Sequence, residues 1–171
     1  LLQDGHELYL LNRRGGKNLP HGAHELRGDI NDEAAVAALL DGLSFDAVAD
    51  FICFTPEQAE RDFKLFAGKT KQYVLISSAS AYQKPLTTLP ITESTPLVNP
   101  YWDYSRAKAA AEELLLRHLR HDGFPVTIVR PSHTYCERKV PVAVHGAAGS
   151  WQVLARMLAG KPVVVHGDGS S

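Results

Sequence analysis

Residues 72–82 read Gln72-Tyr73-Val74-Leu75-Ile76-Ser77-Ser78-Ala79-Ser80-Ala81-Tyr82, an apolar run that breaks abruptly into hydroxyls. Lacking polar alternation, the run predicts a strand covered on both faces, and the serines predict a turn at its carboxyl end. Further runs of this character are Asp46-Ala47-Val48-Ala49-Asp50-Phe51-Ile52-Cys53 upstream, where Asp50 is the exception, and Val126-Thr127-Ile128-Val129 downstream. Stretches of helical period separate them. Buried strands alternating with helices imply a parallel sheet covered by helices on both faces, a doubly wound α/β fold. In such sheets ligands sit beyond the carboxyl ends of the strands, so the residues just after each strand are the ones to read for function.

Working outward, Pro56 opens a helix that ends near Gly68, and Asn31 or Asp32 caps a shorter one with Val36, Leu39 and Leu40 on one face, ending at Gly42. Glu7-Leu8-Tyr9-Leu10-Leu11-Asn12 and Glu25-Leu26-Arg27 read as strands. The strongest helix begins near Asp103, after a polar, proline-bearing loop over residues 82–100, and stops at Asp122-Gly123. Its inner stripe is Ala107, Ala111, Leu114, Leu115 and Leu119. A helix over residues 151–159 and a strand over Pro162-Val163-Val164-Val165 complete the alternation. Leu1-Leu2-Gln3-Asp4-Gly5-His6 reads as the tail of a helix closed by Gly5, and Gly167-Asp168-Gly169-Ser170-Ser171 stops in a turn-like cluster. The chain is therefore expected to be an internal piece of a longer protein.

The sequence has 18 Lys and Arg against 19 Asp and Glu, a formal net charge of -1, so no electrostatic surplus points to nucleic acid or to an anionic membrane. With 44% hydrophobic and 22% charged residues it is too apolar to be disordered. Cys53 and Cys136 lie far apart and in no CxxC pair, which indicates neither a disulfide framework nor a zinc ribbon and fits a reducing compartment. No apolar run approaches the roughly 18 residues of a membrane span, and the first residues form no signal sequence. A soluble, cytoplasmic protein without nucleic-acid, membrane or metal partners is expected.

The pattern Tyr-x-x-x-Lys occurs at Tyr104 and Lys108 and again at Tyr135 and Lys139. The first pair opens the strongly patterned helix, where i and i+4 project from one face about 5 to 6 Å apart at Cβ. The second is followed by Val140-Pro141-Val142 and has no helical period. A phenol is a poor base near neutrality, because its pKa of about 10 must fall by roughly three units. An adjacent ammonium supplies part of that shift, which makes Tyr104 and Lys108 a candidate acid/base pair. Taken in isolation, the pair reads better as an exposed tyrosine beside a solvated lysine. Ser77, Ser78 and Ser80 stand where a substrate hydroxyl or carbonyl needs a hydrogen-bond partner, although a serine-rich turn is common on its own.

Together these segments resemble the extended short-chain dehydrogenase/reductase family, in its NAD(P)-dependent epimerase and dehydratase branch. The resemblance runs through Gly5-His6-Glu7-Leu8, Gly28-Asp29-Ile30, Phe45-Asp46-Ala47-Val48, Ser77-Ser78-Ala79-Ser80-Ala81-Tyr82, Tyr104-Ser105-Arg106-Ala107-Lys108, Val129-Arg130-Pro131 and Gly167-Asp168-Gly169. It implies a Rossmann-like dinucleotide-binding domain over residues 1–135, lacking its first strand and glycine-rich loop, and the beginning of a substrate-binding lobe over residues 136–171. It further implies Tyr104 as catalytic acid/base, Lys108 as the residue that holds the nicotinamide ribose and lowers the tyrosine pKa, and Ser78 as binder of the substrate hydroxyl, supported by Ser80. By matching position, Asp29 and Ile30 fall near the adenine, Ile52, Cys53 and Ile76 beside the cofactor, and Pro131 near the nicotinamide, while His133 falls at the substrate wall, where a packing role is favoured over a substrate contact.

Three departures matter. The glycine-rich strand-turn-helix that holds the pyrophosphate does not precede Leu1, so the chain as written is not expected to bind a dinucleotide well. Asn12 stands where an acidic residue would accept from the adenosine ribose, and Arg13 and Arg14 follow. That set suits a 2′-phosphate and favours NADP somewhat over NAD, the alternative being two solvated arginines in a loop. Ala79-Ser80 replaces the Asp-Glu pair of the sugar-nucleotide dehydratases, so epimerase or reductase chemistry is preferred to dehydration.

The remaining polar features are weaker. His21 with His24, and His118 with His121, are spaced by three residues, but no Cys or carboxylate set completes a metal site, and surface histidines are expected. Trp102 and Asp103 can line the pocket of Tyr104, although an aromatic at the start of a helix more often packs as a staple. Arg156 lies in the late helix, where family members reach a diphosphate, with no second charge beside it. The expectation is an NAD(P)-dependent enzyme moving a hydride to or from a secondary alcohol or ketone of a nucleotide sugar, with a homodimer allowed in the complete protein. The rival is a non-catalytic dinucleotide sensor or scaffold, or an inactive fragment.

Overall fold

The computed structural model describes residues 1–15, 19–136 and 149–164. The chain divides into two compact units, Leu1–Arg130 and Pro131–Ser171. In the first unit the order is β1 (Tyr9–Asn12), β2 (His24–Arg27), α1 (Glu33–Leu39), β3 (Val48–Asp50), α2 (Pro56–Phe66), β4 (Tyr73–Ile76), a single helical turn (Ala79–Ala81), α3 (Asp103–Asp122) and β5 (Val126–Val129). The pairings among these five strands are parallel: β1 with β2, and β4 with β3 on one side and β5 on the other, so that Tyr73 lies opposite both Val48 and Val126. Parallel strands joined through helices are the α/β arrangement that the apolar runs predict. The ladders among the described residues are two, β1-β2 and β3-β4-β5, rather than one continuous sheet.

The helix boundaries follow from local chemistry. Asp32, not Asn31, caps α1, its Oδ1 accepting from the Ala35 amide at 3.1 Å. At α2 the Thr55 hydroxyl accepts from the Gln58 amide while Gln58 Oε1 accepts from the Thr55 amide, a reciprocal capping box ahead of Pro56. Gly123, at φ 70, takes the left-handed conformation that closes α3. The core that joins these elements is Val36, Leu40, Leu65, Phe66, Tyr73, Leu75, Ala111, Leu115 and Phe124. Burying each large aliphatic member contributes about 1.5 to 3 kcal/mol.

Some expectations change. The strand expected through Cys53 ends at Asp50, because Asp50 Oδ1 accepts from the amides of Ile52 at 2.6 Å and Cys53 at 3.0 Å and turns the chain out of the ladder. Ala49 is exposed, so β3, an edge strand of its ladder, is not covered on both faces. On α3 the buried positions are Ser105, Lys108, Ala111, Glu112 and Leu115, whereas Leu119 is exposed. Polar residues thus take part of the stripe that periodicity assigns to apolar ones.

In the second unit α4 spans Ser150–Leu158, and Arg156 donates to the Pro162 carbonyl through Nε and Nη2 at 3.2 and 2.8 Å. Residues 162–164 form no strand, Val165 and the Gly167-Asp168-Gly169 segment lying outside the described residues. Among the described residues no helix is long and apolar enough to cross a membrane.

Candidate functional site

α3 starts beside the carboxyl ends of β3 and β4 and brings Tyr104 and Lys108 there one turn apart. Lys108 is buried, and its Nζ donates to the Cys53 carbonyl at 2.5 Å, in the turn after β3, and to the Ile76 carbonyl at 2.8 Å, at the last residue of β4. The same ammonium lies 4.7 Å from the centre of the Phe54 ring, a cation–π distance. Phe54 in turn stands 6.3 Å from the Tyr104 ring, and Trp102 packs on Tyr104 at 4.8 Å. Phe54 is therefore the common neighbour of the two candidate groups, while Trp102, the N-cap residue of α3, is 55% exposed beside Tyr104. Burial lowers the Lys108 pKa, with Cys53, Asp50 and Glu112 acting in the opposite direction.

The serines follow directly from β4. Ser78 caps the turn Ala79–Ala81, its Oγ accepting from the Ser80 amide at 3.2 Å and lying 2.9 Å from Ser80 Oγ. Asn99 donates to the Ser80 carbonyl at 2.8 Å and ties this turn to the loop before α3. Ser77, buried, donates to Glu112, which is also held by Arg130 through a fork of Nε and Nη2, the latter at 2.6 Å. Arg130 Nη1 reaches the Tyr82 hydroxyl at 3.1 Å. The segment 77–82 is thus clamped at both ends by α3 and by the residue that follows β5. Glu112 and Arg130 escape a reading based on apolar period; the available signal is spacing, since Glu112 lies one turn beyond Lys108 on the same face.

A second buried polar set lies below Lys108. Tyr73 Oη is 3.1 Å from both Asp50 Oδ2 and Asp62 Oδ2. Asp62 accepts from Arg61 Nε at 2.8 Å, and Arg61 Nη1 donates to Asn31 Oδ1 at 2.9 Å. Burial and the neighbouring Asp50 raise the Asp62 pKa to about 7, against the pull of Arg61. Burial pushes the Cys53 thiol up to about 12, so it stays neutral.

After β2, Asp29 accepts from the amide and side chain of Asn31 at 3.0 Å each and faces Arg13 at 3.7 Å. The Asn31 backbone hydrogen bond, opposed by partial desolvation and assisted by Arg13, holds the Asp29 carboxyl below its ordinary range. Asn12 ends β1 and Ile30 packs at the edge of the core. Pro131 and His133 open the second unit, His133 being exposed. Tyr135 is exposed and not helical, and its partner Lys139 is outside the described residues. His118 is no surface histidine: it is mostly buried, stacked on Phe63 at 3.7 Å between Glu60 and Asp122. A groove lined by Val98, Asn99, Arg106, Ala110, Glu113 and Leu116 runs along α3 and contains none of Tyr104, Lys108 or Ser78. Among the described residues no group of three or more His, Cys, Asp or Glu side chains could hold a metal ion.

Parallel strands crossed by helices, with a Tyr-x-x-x-Lys helix starting at the strand ends, define a Rossmann-like protein of the short-chain dehydrogenase/reductase type. The sequence pattern of the NAD dependent epimerase/dehydratase family matches residues 1–171, and the chain belongs to that family. A UDP-glucose 4-epimerase of Lactobacillus helveticus is 31% identical over 121 residues, covering 61% of this chain and 36% of that protein. An uncharacterized protein of Sinorhizobium fredii is 32% identical over 120 residues, or 62% of this chain and 29% of that protein. The UDP-glucuronic acid 4-epimerase of Bacillus cereus in complex with NAD has the same fold at TM-score 0.69 and 20% identity, over 100% of this chain and 61% of that one. The chain spans well under two thirds of the curated relatives it matches.

Proposed function

We propose that this chain is the cofactor-facing part of an NAD(P)-dependent nucleotide-sugar epimerase or reductase of the extended type. The observation that supports it most directly is the meeting of Tyr104, Lys108 and Phe54 at the carboxyl ends of β3 and β4. The residues there suit a dinucleotide. Phe51 and Ile52 are 67% and 50% exposed beside the turn that anchors Lys108, an apolar surface for a planar ring. Two of the three Lys108 ammonium hydrogens go to carbonyls, leaving one for a ribose hydroxyl. When bound, the nicotinamide supplies hydride exchange at a substrate carbon. On this reading Tyr104 moves the hydroxyl proton, Lys108 holds the ribose, and Ser78, steadied by Ser80, orients the substrate oxygen. Ile52, Cys53 and Ile76 line the cofactor, and Asp29 and Ile30 its adenine.

Nucleotide sugars are the proposed substrates because the Lactobacillus helveticus relative and the structural neighbour from Bacillus cereus are UDP-sugar epimerases. Residues 1–135 are assigned to cofactor binding and 136–171 to the start of a substrate lobe, with Pro131 and His133 at the junction. A homodimer in the cytoplasm is the proposed setting, in keeping with the free thiols Cys53 and Cys136. NADP is preferred, through Arg13 and the lack of a carboxylate at Asn12. Titrating the full-length protein with NADPH and NADH tests this: NADPH is expected to bind more tightly, and Arg13→Ala to weaken it about tenfold while sparing NADH, a loss of roughly 1.4 kcal/mol. A clear preference for NADH overturns the role of Arg13. With a UDP-hexose, an epimerase yields the epimer without net change in cofactor absorbance, whereas a reductase consumes cofactor stoichiometrically.

A further inference from the structure

Asp50 is a charged residue that interrupts the apolar stretch 47–53, and none of the roles above uses it. It is buried at the end of β3, and its two oxygens do different work. Oδ1 accepts from the Ile52 and Cys53 amides and shapes the turn over residues 51–53, while Oδ2 faces the Tyr73 phenol. The Cys53 carbonyl at the end of that turn accepts from Lys108 Nζ. A single residue therefore links Asp50 to the ammonium, Cys53 receiving a hydrogen bond at its carbonyl and giving one at its amide.

We propose that Asp50 is a positioning residue for Lys108, fixing the turn that presents the Cys53 carbonyl to the ammonium and keeping one negative charge buried beneath it.

Hydrogen counting supports this assignment. The Tyr73 phenol has one hydrogen and lies 3.1 Å from an oxygen of each carboxyl, so both contacts are hydrogen bonds only when one carboxyl is protonated. Asp50 Oδ1 is held by two amides and Asp62 Oδ1 by Arg61 at 2.7 and 2.8 Å, so the pair carries one negative charge, which we place on Asp50. Asp62 then donates to Tyr73 Oη, and Tyr73 donates to Asp50. Burial and the two acids hold the Tyr73 phenol protonated, and the Asp62 pKa of about 7 agrees with this order. The charged and titratable neighbours are Arg61 and Asp62 on α2, Cys53 after β3, Tyr73 on β4, and Lys108 and Glu112 on α3. Among them Asp50 is an anion that touches the Lys108 anchor directly, and its field favours the ammonium that burial disfavours.

The inference rests on Lys108 being the functional lysine, and its test is chosen to read Lys108 itself. In the full-length protein, Asp50→Asn keeps an oxygen for the two amides and removes the charge. The titration of the Lys108 amine is followed by NMR of its side-chain carbon, assigned with Lys108→Arg, alongside the pH profile of kcat. The expected result is a Lys108 midpoint lower by about one pH unit, with the basic limb of the profile moving by the same amount. Asp50→Ser, which can also accept from those amides without charge, repeats the measurement if Asn is not tolerated. An unchanged Lys108 midpoint in the folded variant overturns the proposal. A lowered midpoint in a protein without turnover supports the role of Asp50 and counts instead against the enzymatic reading.

Discussion

Glu112 is a fully buried carboxylate whose oxygens are shared between Ser77 and Arg130. Its neighbour across the clamp lies 18 residues away in sequence, at the end of β5. Removing one partner of such a pair leaves the other charge stranded, which costs about 3 to 5 kcal/mol when burial is complete. The Arg130 side chain keeps 16% of its surface in contact with solvent, so the lower end applies. Glu112→Ala is expected to destabilise by about 3 kcal/mol in a denaturant titration, whereas a double change to apolar residues of similar volume is expected to recover much of it. The clamp also fixes the turn that carries Ser78, so the variant should raise KM for substrate even below its melting temperature. A loss of stability under about 1 kcal/mol would show that Arg130 finds water instead.

At the scale of elements, α2 and α3 are pinned by His118, whose Nε2 lies 2.9 Å from Glu60 and Nδ1 2.7 Å from Asp122. Both contacts donate only when both ring nitrogens are protonated. Burial opposes that charge, but the hydrogen bonds to Asp122 and Glu60 outweigh it and raise the His118 pKa. A raised folded pKa means stability that is fully present below the unfolded value of about 6.5 and is lost as pH rises through the folded value. The melting-temperature difference between wild type and His118→Gln should therefore be largest below the unfolded value and shrink as pH rises through the raised folded value; a pH-independent difference contradicts the ion-paired histidine. The helices themselves were legible in the sequence, because Asp32, Pro56 and Gly123 are local signals for local structure. The roles of His118 and Glu112 were not, since their partners Glu60 and Arg130 come from other elements and no period announces them. The early end of β3 was half legible: Asp50 stood out in its run, but only the captured amides of Ile52 and Cys53 show what it does.

For the molecule as a whole, apolar strand runs and helical periods were enough to give a parallel α/β fold, while the division into two ladders depends on strand pairing that no single segment encodes. β1 pairs only with β2 and β3 only with β4, so each keeps an edge of amides and carbonyls free of ladder bonds among the described residues. A chain extended upstream by a strand and a glycine-rich turn is expected to protect the amides of β1 and β3 from hydrogen exchange and to bind NADPH more tightly than the 171 residues alone; unchanged protection would mean that the added strand pairs elsewhere. On the proposed function, one end of the β3-β4-β5 ladder is a single redox site. Its most direct measurement is Tyr104→Phe in the full-length protein, with kcat and cofactor affinity determined on the same preparation. Turnover should fall by about 10² to 10⁴-fold with the cofactor Kd nearly unchanged, and an undiminished kcat would contradict the account.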